Sequence, residues 1–148
     1  MAVSTRPAGK DQYEPFVALI QREARDYFER SLAAMEMPVD TFRRLFRAAG
    51  TVSGIYEGTE LAGLVWAELR GDVLHIHGLV LDKAFQGRGI GTRVLDILEV
   101  EHRGKASAIE IGVYASNERA RAFFERRGYR VARTREDLGF QVLRKPLA

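Results

Sequence analysis

Apolar positions along this chain change their period several times, and each change marks an element. Ala2 to Arg6 is a short strand-compatible run that ends at Pro7, and Ala8 to Lys10 reads as a turn. From Asp11 to Phe28 the residues Phe16, Leu19, Ile20, Tyr27 and Phe28 recur at helical spacing behind the starting signals Asp11, Glu14 and Pro15, predicting one helix. Ser31 to Pro38 breaks the pattern as a methionine-bearing loop. A second helix over Val39 to Ala49 uses Phe42, Leu45 and Phe46 and stops at Gly50. The period then switches. Thr51 to Tyr56, Leu61 to Leu69 and Val73 to Leu81 are β-branched, aromatic or aliphatic segments separated by short turn sequences, predicting an antiparallel meander of three strands.

Helical spacing returns with Ile90, Val94, Ile97 and Leu98 and ends near Gly104. Ala108 to Tyr114 reads as a buried strand. Ser116 or Asn117 can cap a helix with Ala120, Phe123 and Phe124 inward and Gly128 at its end. Tyr129 to Arg133 and Phe140 to Lys145 close the chain as strands. The predicted order is β-α-α-β-β-β-α-β-α-β-β, without internal repeats, and 148 residues suit one domain over residues 1–148.

Composition narrows the chemistry. The absence of cysteine excludes disulfides, thiolate metal sites and cysteine nucleophiles, and no metal site is expected. No apolar run reaches the roughly 20 residues of a membrane span. The N-terminus carries no apolar signal region, so a cytoplasmic location is expected. A net charge of +3 favours anionic ligands. The arginines between Arg119 and Arg135 lack the interleaved exposed aromatics of a nucleic-acid surface, so no nucleic acid is expected.

The most informative stretch is Gln86-Gly87-Arg88-Gly89-Ile90-Gly91-Thr92, which follows a strand and opens a helix. Alternating glycines leave the backbone unshielded, so successive N–H groups can converge on an anion at the positive end of the helix dipole. A dinucleotide fingerprint fails at the third glycine, and a P-loop fails because the stretch has no lysine. The stretch resembles instead the acetyl-CoA loop of the GNAT superfamily, Q/R-x-x-G-x-G/A, with Gln86, Gly89 and Gly91 at its defining positions. Gly78 to Phe85 is similar to the family's fourth strand and following turn. Asn117 to Tyr129 is similar to its N-x-x-A-x-x-[F/L]-Y-x-x-x-G-F/Y segment.

This resemblance implies an α+β, three-layer fold, with a mixed, mostly antiparallel sheet, helices on both faces and a splay between strands four and five. It implies an acetyl-CoA-dependent N-acetyltransferase that moves the acetyl group to an unidentified primary amine without a covalent enzyme intermediate. By the same analogy Leu79, Val80 and Leu81 lie along the pantetheine arm, and residues 86 to 92 hold the pyrophosphate. Asn117 contacts the pantetheine, Arg119 is a candidate for the 3′-phosphate, and Arg88 and Arg93 face phosphates from the other side of the slot. Phe124 borders the thioester where relatives usually carry an acid-donating tyrosine, and it has no proton to give. Tyr114 could substitute but reads better as a packing aromatic. A GNAT-fold sensor that binds acyl-CoA with reduced catalysis is the alternative reading, and a monomer or homodimer is expected.

For the base, the strand Leu74-His75-Ile76-His77 alternates, placing both imidazoles on one face. His75, eleven residues before Gln86, matches the position of a glutamate base in the histone-acetylating branch and is the first candidate, His77 the second and Glu68 the third.

Overall fold

A computed structural model describes residues 2–147. Its strands are β1 (Val3–Pro7), β2 (Thr51–Glu57), β3 (Glu60–Arg70), β4 (Val73–Leu81), β5 (Ala108–Tyr114), β6 (Arg130–Arg135) and β7 (Phe140–Pro146). They form one sheet in the order β1-β2-β3-β4-β5-β7-β6. Every neighbouring pair is antiparallel except β4 and β5, which run parallel. The helices are α1 (Tyr13–Glu23), α2 (Arg25–Ala34), α3 (Val39–Ala48), α4 (Ile90–His102) and α5 (Glu118–Glu125).

Two separate cores sandwich the sheet. One gathers Phe16 and Ile20 of α1, Phe28 of α2 and Phe42 and Phe46 of α3 against Val52, Leu64, Trp66 and Val80. The other gathers Ile90, Val94 and Leu95 of α4 and Phe124 of α5 against Leu74, Ile76, Ile109, Ile111 and Leu143. Helices therefore cover both faces, as the resemblance implies. β4 serves both cores because its register slips: Trp66 pairs with Gly78 while Ala67 pairs with Ile76, leaving His77 as an extra residue in the strand. That bulge reverses the alternation, so Leu74 and Ile76 enter one core and Val80 the other.

Two predicted elements are corrected. The single helix expected over Asp11 to Phe28 is two, broken at Ala24, whose backbone leaves the helical region at φ −124° and ψ 37°. The predicted loop from Ser31 is helical to Ala34. The break turns α2 so that Phe28 meets the Phe42 ring at 4.9 Å while Tyr27 meets Tyr114 at 5.4 Å. Tertiary packing sets it, since alanine carries no breaking signal.

The end of α2 is equally silent in sequence. Met37 N–H donates to Leu32 O and Glu36 N–H to Ala33 O, the paired bonds of a Schellman cap, yet the left-handed position is Glu36 at φ +50°. Placing a side chain there costs about 1–2 kcal/mol relative to glycine. We expect Glu36→Gly to raise the unfolding free energy by up to about 1 kcal/mol, because glycine's greater unfolded entropy offsets part of the relief. Urea titration with an unchanged m-value would read this, and a lower midpoint would contradict it.

Candidate functional site

β4 and β5 pair only from Val73 to Ile76 and from Ala108 to Ile111. Beyond these four pairs β4 stays with β3 and β5 with β7, so the strands part and a cleft opens between them. The cleft holds about 590 Å³. Its walls include Gly78, Leu79 and Val80 of β4, Gly112, Val113 and Tyr114 of β5, and Asn117, Ala120 and Phe124 at α5. Backbone groups along the parted edges have no strand partner, and such groups need water or a ligand.

The glycine stretch follows β4 at once. Gly87 and Gly89 hold φ of +78° and +77°, a region that non-glycine residues avoid, and a Cβ on either would meet nothing within 4 Å. Open space therefore stands before this backbone. Gly89 is the N-cap of α4 without any side-chain cap, so the first-turn amides of α4 lack an intrahelical acceptor and point outward. The arrangement fits a diphosphate cradle. Gly91 serves differently, since a Cβ there would press the Phe123 ring at 3.3 Å.

Other candidates divide by what their side chains already do. Gln86 donates to Leu81 O at 2.9 Å and to Glu23 at 3.2 Å, tying the loop to the end of β4 and to α1. The Ile90 side chain is buried, which leaves only its amide for a ligand. Thr92 Oγ1 accepts from the Arg127 guanidinium, which also donates to Phe123 O at 2.7 Å. Arg88 is paired with Glu57 at 2.8 Å. Asn117 Oδ1 accepts from Ala120 N–H at 3.1 Å and caps α5, leaving its amide nitrogen for another partner. Arg119 is exposed in the first turn of that helix.

Across the cleft the two histidines share one face, with ring centroids 4.8 Å apart. His77 leans on the Trp66 indole at 4.4 Å, and Trp66 is fixed by donating to Ala49 O at 2.8 Å. His77 Nε2 lies 2.8 Å from Glu68 Oε1, an oxygen that also accepts from Arg70 Nε at 3.2 Å. A carboxylate can only accept, so Nε2 carries the hydrogen and Nδ1 keeps the lone pair. The hydrogen bond from His77, with Arg70 beside it, holds the Glu68 carboxyl below its usual range. Burial lowers His77, while its bond to Glu68 opposes the shift. Burial, with His77 and Arg70 adding to it, pushes His75 down to about 4. His75 is thus neutral near pH 7, and His77 is the ring that Glu68 holds.

Phe124 is buried, packed against Phe123 and Tyr129 at 5.1 and 5.4 Å. Tyr114 packs against Phe140 at 5.2 Å and shares a hydrogen bond with Ser31 at 3.1 Å. His102 stands apart, its Nδ1 2.8 Å from Leu98 O. Sequence reading missed Glu110, a buried carboxylate in register with His75 that meets Arg133 at 2.8 Å and Arg144 at 2.9 Å. Its signal was one charged residue in an otherwise apolar strand. Within the arginine cluster Arg121, Arg133 and Arg135 pair with acidic side chains, and Arg127 and Arg130 donate to backbone carbonyls. Among the described residues no helix is long and apolar enough to cross a membrane.

The family model described as "Acetyltransferase (GNAT) family" matches residues 16–129. No curated protein matches by sequence. Similar solved structures include the PaiA N-acetyltransferase of Thermoplasma acidophilum in complex with coenzyme A, at 14% identity, 99% of each chain and TM-score 0.77. The ribosomal-protein-S18-alanine N-acetyltransferase of Escherichia coli matches at 16% identity, 99% of this chain and 95% of that one, and TM-score 0.74. A GNAT acetyltransferase of Elizabethkingia anophelis with acetyl-CoA bound matches at 15% identity, 98% of each chain and TM-score 0.73.

The His75 shift has a consequence for stability. An imidazole at about 4 when folded and near 6.5 when unfolded takes up its proton preferentially in the unfolded chain. Its contribution is therefore present above pH 6.5 and lost as pH falls towards 4. Glu68, His77, Arg70 and Glu110 all act on this group. We expect His75→Asn to flatten the fall in stability between pH 6.5 and 4.5, read by denaturant titration at each pH. An undiminished slope would contradict the assignment.

Proposed function

Because this chain belongs to the GNAT acetyltransferase family, we propose that it transfers the acetyl group of acetyl-CoA to a primary amine by direct attack. The observation that carries this reading is the parting of β4 and β5 into a cleft with a histidine–carboxylate pair on its wall, followed along the chain from β4 by a glycine turn whose amides face open space. In this reading the amides of residues 87 to 92 hold the pyrophosphate. The unpaired edge of β4 at Leu79 to Leu81 takes the pantetheine as an added strand. The free amide nitrogen of Asn117 reaches the same arm, and Arg119 meets the 3′-phosphate.

The amine must lose a proton before its nitrogen can attack the thioester carbon. His77 Nδ1 accepts that proton, directly or through a water, and Glu68 stabilises the imidazolium that forms. As the new C–N bond forms the C–S bond breaks, and its electron pair leaves with sulfur. Phe124 offers no proton to that sulfur, so it is protonated by solvent. The same residue supports a second reading, an acyl-CoA sensor with weak or no turnover, and thiol release with any amine would dismiss it.

Acetyl-CoA should bind at micromolar concentration and raise Tm, with NAD and ATP far less effective. Gly89→Ala should weaken binding about tenfold by placing a Cβ where phosphate meets backbone. Circular dichroism should find the variant folded at assay temperature. Equal calorimetric affinity for acetyl-CoA in variant and parent would remove the cradle.

For the base, His77→Ala should lower kcat/KM about 10²-fold and leave acetyl-CoA affinity nearly unchanged, and Glu68→Gln should cost about tenfold. In the parent kcat/KM should rise with pH through the His77 ionisation, and this limb should vanish in His77→Ala. Since the amine also ionises, the two profiles are compared with one substrate. Parental rates in both variants would return the role to water or His75.

A further inference from the structure

The lining of the cleft between β4 and β5 carries almost no charge. Of its lining residues only Glu68 and Arg70 are formally charged, and they pair with each other at 3.2 Å. Glu68 is engaged a second time by His77. The rest of the lining is uncharged near pH 7, with Ser31, His75, His77 and Asn117 as polar groups among apolar and aromatic walls that include Tyr27, Phe28, Trp66 and Phe140. Three large apolar side chains stand exposed on its lining, Met35 beyond α2, Leu45 on α3 and Leu138 in the β6–β7 turn. Exposed apolar groups gathered at one opening mark a binding surface.

A polyamine or aminoglycoside brings several ammonium groups. Each one beyond the reacting nitrogen would leave water here without a carboxylate to receive it, and an unpaired charge in an apolar site is strongly unfavourable. A single amine on an apolar body meets no such penalty, because its nitrogen must be neutral to attack and its body is received by apolar walls. Access argues for a small molecule over a polypeptide. Arg30 of α2 donates to Ser116 at 3.1 Å and lies 3.9 Å above the Tyr114 ring. Tyr27 of α2 meets Phe140 of β7 at 6.4 Å. Helix α2 thus touches both β7 and the turn after β5, leaving no open trough there for an extended chain. Gly112 allows this wall, since a Cβ on it would fall 2.1 Å from the Phe140 ring.

Resting on the reading of this cleft as an acetyltransferase site, we infer that the acceptor is a small monoamine with an uncharged apolar or aromatic body. The reaction gives the neutral amide and the free thiol of coenzyme A, with the amine proton passed to His77 or water and the sulfur protonated by solvent.

The test measures thiol release from acetyl-CoA with 2-phenylethylamine and hexylamine, against spermidine, kanamycin and a short peptide with a free N-terminus. Expected is a kcat/KM for 2-phenylethylamine at least tenfold above that for spermidine, kanamycin or the peptide. Leu138→Asp, an exposed turn substitution that adds a carboxylate at the lining, should shift the ratio about tenfold towards spermidine while the calorimetric Kd for acetyl-CoA holds. Preference for spermidine, kanamycin or the peptide in the parent overturns the inference, as does turnover of none of the amines or an unmoved ratio in Leu138→Asp. These outcomes with acetyl-CoA still binding leave the cofactor reading in place, whereas no binding heat at all would remove that reading itself.

Discussion

The site depends on a hydrogen-bond ladder that stops early. Four residue pairs join β4 to β5, and past Ile76 and Ile111 the strands part. A strand edge shut away from neighbours leaves amides and carbonyls that must find another partner. In a sheet exterior this would be an aggregation hazard; between two packed layers it becomes a template for one extended ligand. The glycine turn extends the same logic, because it converts the end of the strand into outward-facing amides with no acceptor of their own.

The bulge at His77 supports this arrangement from within β4. With regular alternation Val80 would face the same core as Leu74 and Ile76, and the α1–α3 layer would lose one of its buried contacts. The slip restores that contact. It also sets the His77 ring beside Trp66, which the end of α3 holds through a hydrogen bond. The imidazole comes from β4 and its carboxylate partner and aromatic floor from β3, two paired strands fixed by packing rather than by loops.

Legibility followed the range of the physics. The glycine stretch and the later element boundaries could be read because a positive φ, a helix cap and a switch of period are local. The α1–α2 break could not be, because an alanine turns there under the pull of Phe28 and Tyr27 on separate neighbours. Sequence placed both histidines on one face correctly. It ranked His75 before His77 by position alone, because which ring reaches Glu68 and which is more deeply desolvated are set by tertiary packing. Glu110 was missed for the same reason, its partners lying 23 and 34 residues away.

Glu110 is also answered twice, by Arg133 on the outermost strand and by Arg144 on the strand between. Loss of one guanidinium leaves the carboxylate paired with the other; loss of both strands a buried charge. Redundancy of this kind makes either arginine dispensable for the carboxylate alone, but not both together. The outer edge of the sheet can then lose one guanidinium without stranding a charge on β5, the strand that borders the cleft.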